Sequence, residues 1–387
     1  MPSSSRDPSR PEGKADVVLV GIAARGLAAS ARRAGLRALV LDLFADTDTQ
    51  ALAHRVVRLR RRGGLRIDPD DLLEQLARHA RPDIPLVLGT GFEDAPDLVS
   101  ELARRFRLVG SAAPTLARLK DPFRFARLLA ELDIPHPRIF TGSAPDSVRL
   151  LEKRVGGAGG GHVRPAVRPR GEGWYLQERL EGRSLSALFL GNGRAARLLA
   201  FSEQWCDPCD GAPFRYGGCA GPIGIDGGIA RQVAGALDRV AGASGLLGLA
   251  SADLIVQAEG WHLIEVNPRP GATLDIFDAP PMPPLLRLHL DACAGELPDL
   301  PLLVPGAGVA ARAAGVFYAP AALAPGPDAL PDWVADRPSP GTRLAAGEPV
   351  CTVWATGHDL SEARAVLARR MDHLRCGLSM ASRAAAE

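Results

Sequence analysis

The stretch LIEVNPRPG, residues 263–271, sets a carboxylate, Glu265, and an amide, Asn267, two residues apart in an apolar run, then places Arg269 between Pro268 and Pro270. Alternate residues of a strand share a face, so Glu265 and Asn267 point the same way. With a turn at Ala258-Glu259-Gly260 between strands 251–257 and 261–267, Asp253 falls opposite Glu265, the Cβ atoms about 5 Å apart. Like charges at that separation are unfavourable unless a proton or a cation lies between them. Two carboxylates and an amide oxygen suit a hard cation, Mg2+ with Mn2+ as a substitute, and phosphate oxygens would complete the octahedron. Three exposed polar residues on an amphipathic hairpin are the alternative. Arg269, stiffened by its prolines, is placed as a fork for phosphate or carboxylate. In this register Leu254, Val256, Ile264 and Val266 face a core, with His262 on their side as a structural residue.

Upstream, LLEKRVGGAGGGHV, 150–163, sets Lys153 before Gly156, Gly157, Gly159, Gly160 and Gly161. Such a run favours neither helix nor strand, but it brings backbone amides close to phosphate oxygens, and Lys153 can neutralise α- and β-phosphates. A surface loop without a ligand is the competing reading. YLQERLEGRSLSALFL, 175–190, opens as a strand carrying Gln177, Glu178 and Glu181 to Gly182. It offers backbone groups to a planar base and acceptors to a ribose, although a solvated edge strand fits the same residues. FSEQWCDPCDGAPFRYGGCAGP, 201–222, has the composition of a mobile lid or acceptor wall, with Gln204, Trp205 and Arg215 as candidate substrate contacts. Cys206, Cys209 and Cys219 lack a fourth zinc ligand nearby and read as incidental loop thiols.

These pieces need elements to position them. At 387 residues the chain is too long for one ordinary core. DVVLVG, LRALVLDLF, PLVLGTG and RLVGSA read as strands alternating with helices AARGLAASARRAG and DLVSELARRF, which predicts an open parallel sheet over 15–110. Residues 1–14 read as a disordered tail without the apolar segment of a signal peptide. GIAARG at Gly21 matches neither a dinucleotide fingerprint nor a P-loop. It is a structural turn, or else a helix N-terminus lending amides to an anion with help from Arg25. DPFRFARLLAELDIPHPR, capped by Asp121 with Pro122 in the first turn, is a helix within a module spanning 111–295. RQVAGALDRVAGASG is a second helix of that module. Residues 296–387 form a small β-rich domain with strands in GVFYAP and EPVCTVWATG and a terminal helix in DLSEARAVLARRMDHL.

Hydrophobic content of 46% with 23% charged residues is that of a globular protein, and a net charge of +2 gives no reason to expect nucleic acid. The basic run RLRRRGG reads as a solvated loop or edge. No stretch reaches the roughly 18 apolar residues of a membrane span. The six cysteines are scattered and read as reduced, which places the expectation in the cytoplasm.

Taken in order, LKDPFRFARLLAELDIPHPR, LEKRVGGAGGGHV, YLQERLEGRSLS and ADLIVQAEGWHLIEVNPRPG resemble the ATP-grasp superfamily over about 110–295. More narrowly they resemble its carboxylate–amine ligases, and more loosely tyramine–glutamate ligase; the first domain of such ligases often carries a stretch like DLFADTDT. The resemblance implies an α/β chain: an ATP-grasp fold preceded by an open parallel α/β domain and followed by a small α+β domain. It implies that Lys153 contacts nucleotide phosphate and base, that Gly157, Gly159, Gly160 and Gly161 cover phosphates, and that Glu178 and the Leu180 backbone hold adenine. Glu181 is the implied ribose contact. Asp253, Glu265 and Asn267 resemble the magnesium ligands, and Arg269 the arginine that steadies the transferred phosphate or acyl phosphate. Where the family has a further phosphate-binding lysine stands Pro122, and the nearest lysine is Lys120.

The implied activity is that of an ATP- and magnesium-dependent ligase. A carboxylate becomes an acyl phosphate and an amine completes the amide, with release of ADP and phosphate. Its partners are then a small carboxylate and a small amine, with neither nucleic acid nor membrane, and a homodimer is compatible with this size. A phosphotransferase using the same site and a non-catalytic nucleotide-binding module are the rivals. A Rossmann oxidoreductase lacks its GxGxxG here.

Overall fold

Val17–Val20 (β1) and Ala38–Asp42 (β2) are buried throughout, a pattern tolerated where a parallel sheet is covered on both faces. The computed structural model, which describes residues 14–384 apart from 141–143, 146, 167, 169, 170, 307 and 326–329, places them in such a sheet. The expected tail, 1–14, lies outside the described residues but for Lys14. The sheet runs in the order β3-β2-β1-β4, all parallel, with β3 at Arg55–Arg58 and β4 at Leu86–Leu88. Helices α1 (Arg25–Arg33), α2 (Thr47–Leu52), α3 (Pro69–His79) and α4 (Pro96–Arg105) connect and follow the strands. RLVGSA, expected as a strand, contributes only one parallel bridge, Leu86 with Leu108, because the chain turns at once into a helix pair.

That pair is α5 (Ala113–Lys120) and α6 (Pro122–Glu131). Asp121 separates them: its side chain accepts the Phe123 and Arg124 amides, both at 2.9 Å, and Pro122 starts the new helix without an amide to satisfy. The cap thus fixes where Lys120, the last residue of α5, leaves its helix. A small antiparallel sheet follows in the order β5-β8-β6-β7, from Ile139–Phe140 (β5), Leu150–Arg154 (β6), Arg164–Pro165 (β7) and Trp174–Glu178 (β8).

Arg183–Asn192 (β9) and Ala196–Cys206 (β10) begin an eight-stranded sheet that also takes Tyr216–Gly221 (β11), Leu247–Gln257 (β12) and Gly260–Asn267 (β13). One face packs Leu185, Ala187, Phe189, Ala250 and Leu254 against Val233, Leu237 and Val240 of α7 (Gly227–Ser244). The other face carries Leu188, Leu190 and Leu249 into a core shared with Leu285 and Leu288 of α9 (Leu285–Cys293), just after the short α8 (Leu274–Phe277), and with the first sheet. Beyond this apolar patch, that second face turns polar at Ser186, Ser251 and Asp253.

The C-terminal strands do not form a sheet of their own. Ala311–Tyr318 (β14) pairs antiparallel with β11, and Pro349–Gly357 (β16) and Val334–Ala335 (β15) extend the same sheet in the order β13-β12-β9-β10-β11-β14-β16-β15. The long α10 (Leu360–Ala384) packs over them through Ala363, Leu367 and Leu374. No helix among the described residues is long and apolar enough to cross a membrane.

Candidate active site

The β12–β13 hairpin brings Asp253 opposite Glu265, and Ser251 opposite Asn267. The carboxylates therefore face one another. Past them the register slips: Leu254 pairs with Leu263, leaving Ile264 as the extra residue of a bulge. The turn is consequently the two residues Ala258 and Glu259, not three. The slip also changes faces. Leu263, 1% exposed, joins Leu254 and Val266 in the core, while Ile264, expected there, is only half-buried. His262 moves with it, away from the core side that Trp261 and Leu263 now occupy.

Asp253 is held from two sides. Ser186, its direct partner on β9, donates a hydroxyl hydrogen bond at 3.1 Å, and the Asn267 amide donates at 3.4 Å. Burial, and then Glu265 opposite, push the Asp253 carboxyl upward. Glu265 is driven the other way: burial would raise it, but Lys120 and Lys153 together outweigh that and lower it. The Lys120 ammonium donates to Glu265 Oε1 and, at 3.1 Å, to Asn267 Oδ1, with only 8% of the residue exposed. Burial depresses the Lys153 ammonium, against the pull of Glu265 and Asp253. Carboxylate oxygens of Asp253 and Glu265 and the amide of Asn267 thus share one face, a donor set that fits a hard divalent cation. No group of three or more His, Cys, Asp or Glu that could hold a metal gathers among the described residues; the third donor of this set is an amide.

Arg269 reaches across to the first sheet. Its Nε donates to Glu93 Oε1 at 2.7 Å, and the Gly91 amide donates to Glu93 Oε2 at 2.8 Å. Glu93 is 5% exposed. Burial alone would raise its carboxyl, yet Arg269, Lys120 and these two hydrogen bonds bring it down from the ordinary 4.5 to about 2. Sequence reasoning missed Glu93. Its only signal is an acid following the glycine-flanked end of a strand, in GTGFED.

A cavity of about 1050 Å³ joins these groups. Lys120, Lys153, Gly157, Gly159, Gly160, Glu178, Leu180, Glu181, Asp253, Glu265, Asn267 and Arg269 all line it. Gly161 does not, and a side chain there would meet nothing within 4 Å. At Gly160, at φ +72°, a side chain would force the loop to shift: a Cβ would lie 1.9 Å from the Phe214 carbonyl oxygen. At the far end the Glu178 carboxylate is gripped by Arg138 at 2.9 and 3.0 Å, and the Glu178 amide donates to the Arg138 carbonyl at 2.9 Å, so the residue is tied to the strand end. The Glu181 carboxylate pairs with Arg149 at 2.7 Å, both largely exposed. Gln204 and Trp205 line the cavity, whereas Arg215 is turned onto Tyr318 and Arg25 is enclosed by Asp275 and Asp336. Neither arginine is available for substrate. All six cysteines are free thiols.

The ATP-grasp domain family matches residues 119–273. The carbamoyl phosphate synthase large chain of Rubrobacter xylanophilus is 27% identical over 252 residues, covering 57% of this chain and 23% of that protein. The chain therefore spans about a quarter of that curated relative. N5-carboxyaminoimidazole synthetase from Staphylococcus aureus, solved with ADP, superposes with a TM-score of 0.66 at 13% identity, over 92% of this chain and 97% of the other. An L-amino acid ligase from Bacillus licheniformis superposes at 0.63 with 16% identity, over 93% and 98%. At these identities the likeness is one of fold.

Proposed function

Since this chain belongs to the ATP-grasp superfamily through residues 119–273, we propose that it is an ATP-dependent carboxylate–amine ligase releasing ADP and phosphate. The observation that carries this reading is the opposition of Asp253 and Glu265, with Asn267 beside them, at the floor of a cavity that also holds Lys120, Lys153, Arg269 and the glycine loop. Such a floor suits the polyphosphate of a nucleotide. Among solved structures of the same fold, one is described with ADP and another is described as an amino acid ligase, which supports both halves of the proposal.

Asp253, Glu265 and Asn267 would hold Mg2+, which when bound offsets charge on the phosphates. The chain's own groups do the rest. Lys153 and Lys120 neutralise phosphate oxygens, and the glycine amides cover them. Arg269, aligned by Glu93, presents its remaining guanidinium donors to the transferring phosphoryl group or to the acyl phosphate. The carboxylate substrate attacks the γ-phosphorus, the bond to the ADP oxygen breaks, and the amine then displaces phosphate from the acyl carbon. No protein nucleophile is required, because positioning and charge stabilisation lower the barrier.

Purified protein incubated with ATP and Mg2+ should release ADP when the matching carboxylate is supplied, and form an amide when the amine is added. A screen of acid and amine pairs reads this out. Changes behind a metal ligand cost about 10–100-fold, so loss of a ligand in Glu265→Gln should cost at least that in turnover. AMP as product, or unchanged turnover in Glu265→Gln, would reject the proposal.

A further inference from the structure

No residue beyond Thr273 lines the cavity among those described, so the C-terminal strands put nothing into the site. They nevertheless hold the segment that lies on the glycine loop. Tyr216 is the shared link: its amide donates to the Gly159 carbonyl at 2.9 Å, and its own carbonyl accepts from the Tyr318 hydroxyl at 2.8 Å. One residue earlier, the Arg215 guanidinium sits 3.7 Å from the Tyr318 ring centroid and binds Asp207 through its carboxylate at 2.5 Å and its carbonyl at 3.0 Å. One residue earlier again, the Phe214 carbonyl occupies the space above Gly160 that a side chain would need. On the strand leading into this segment, Trp205 lies under Arg364 of α10, which also binds Glu203 at 2.5 Å.

We propose that Tyr318 and Arg215 are positioning residues through which the C-terminal strands set the closed position of the glycine loop, so that residues 207–216 act as a strap across the nucleotide site. Ring, cation and hydroxyl form one unit: the stacked Arg215 fixes the strap's backbone, and the Tyr318 hydroxyl holds the carbonyl of Tyr216, the residue whose N–H binds the Gly159 carbonyl. The direction of the effect follows. A glycine-rich loop loses much entropy on ordering, and a strap that orders it beforehand removes that cost from nucleotide binding. As regards ATP, the inference rests on the ligase reading above; as regards the loop, it does not.

Two arms keep these apart. Hydrogen exchange on the full chain without nucleotide should show residues 156–161 exchanging about three- to tenfold faster in Tyr318→Phe than in the wild type, the effect of one hydrogen bond. Exchange over α7, which reports global stability, should stay unchanged. Arg215→Met, which keeps the stem and deletes the cation, should act in the same direction and serves if Tyr318→Phe does not fold. ATP binding by calorimetry should weaken by a similar factor in each variant. Unchanged exchange over 156–161 in both variants overturns the proposed strap. A wild-type chain that binds no ATP would instead reject the ligase reading, and the exchange arm would still decide the coupling.

Discussion

Arg269 and Glu93 show how one side chain is made useful by another. An arginine between two prolines has little backbone freedom, but its guanidinium still has long-chain rotamers to lose; the buried Glu93 removes them with one hydrogen bond at 2.7 Å. The depressed carboxyl has a stability consequence. A group whose folded pKa lies near 2 and whose ordinary value is 4.5 stabilises the fold fully above the ordinary value and loses that contribution as pH falls towards 2. The pair should therefore contribute up to about 3 kcal/mol at neutral pH. Denaturant titrations of wild type and Glu93→Gln should show the wild type more stable at pH 7, with the gap shrinking between pH 4.5 and 2. A gap independent of pH over that range would mean that Glu93 is not held ionised by Arg269.

At the scale of elements, the bulge at Ile264 and the glycine loop do opposite things. The bulge lets two carboxylates face each other across β12 and β13 while returning Leu263 to the core one residue later. The loop gives up its side chain at Gly160 so that it can lie against the 207–216 segment. Gly160→Ala introduces a left-handed backbone penalty of about 1–2 kcal/mol and a clash with the Phe214 carbonyl. The loop must move, and ATP affinity should fall at least about tenfold while the thermal midpoint shifts by only a few degrees. Gly161→Ala, in open space and without a positive φ, is the control and should bind normally. Equal affinities for the two variants would sink the assignment of Gly160 as a close-approach position.

Across the whole molecule, the stretch DLFADTDT acts as a joint. Asp48 accepts the Asp336 and Arg337 amides at 2.8 and 3.0 Å, the Thr47 amide donates to the Arg337 carbonyl at 2.9 Å, and Ser339 donates to the Ala45 carbonyl at 2.7 Å. Arg25 stands at the centre, bound to Asp275 at 2.6 Å and Asp336 at 3.0 Å. First sheet, post-hairpin helix and C-terminal strands thus meet on one cation surrounded by excess acid. Asp46 bears the consequence: burial, then Asp336, Asp42 and Asp48, push its carboxyl from the ordinary 3.8 up to about 9. Folding then takes up a proton, so this group's stabilisation is complete below pH 3.8 and declines as pH rises through 9. Asp46→Asn, which does not titrate, should match the wild type near pH 4 and exceed it by a margin that widens up to pH 8.5, as measured by urea unfolding. A variant less stable than wild type at pH 8.5 would show that the carboxylate, not the proton, is what the joint uses.

Some of this was written locally in the chain. Strand period two puts Glu265 and Asn267 on one face, because it depends only on neighbours in sequence; Asp253 comes opposite Glu265 because the bulge at Ile264 offsets a turn one residue shorter than the spacing suggested. The Asp121 cap with Pro122, the glycine run after Lys153 and the apolar β1 and β2 are legible because they too are local. The bulge was not legible, since one inserted residue leaves composition and alternation nearly intact yet reverses which of Leu263 and Ile264 is buried. Lys120 stands beside Glu265, Glu93 beside Arg269, and Tyr318 beneath the 207–216 segment only because distant stretches are packed together. Pairings across so much chain are chosen by the burial of whole sheets and helices, and no local pattern encodes them. The sequence by itself determined which chemistry was at hand; tertiary packing decided which charge met which.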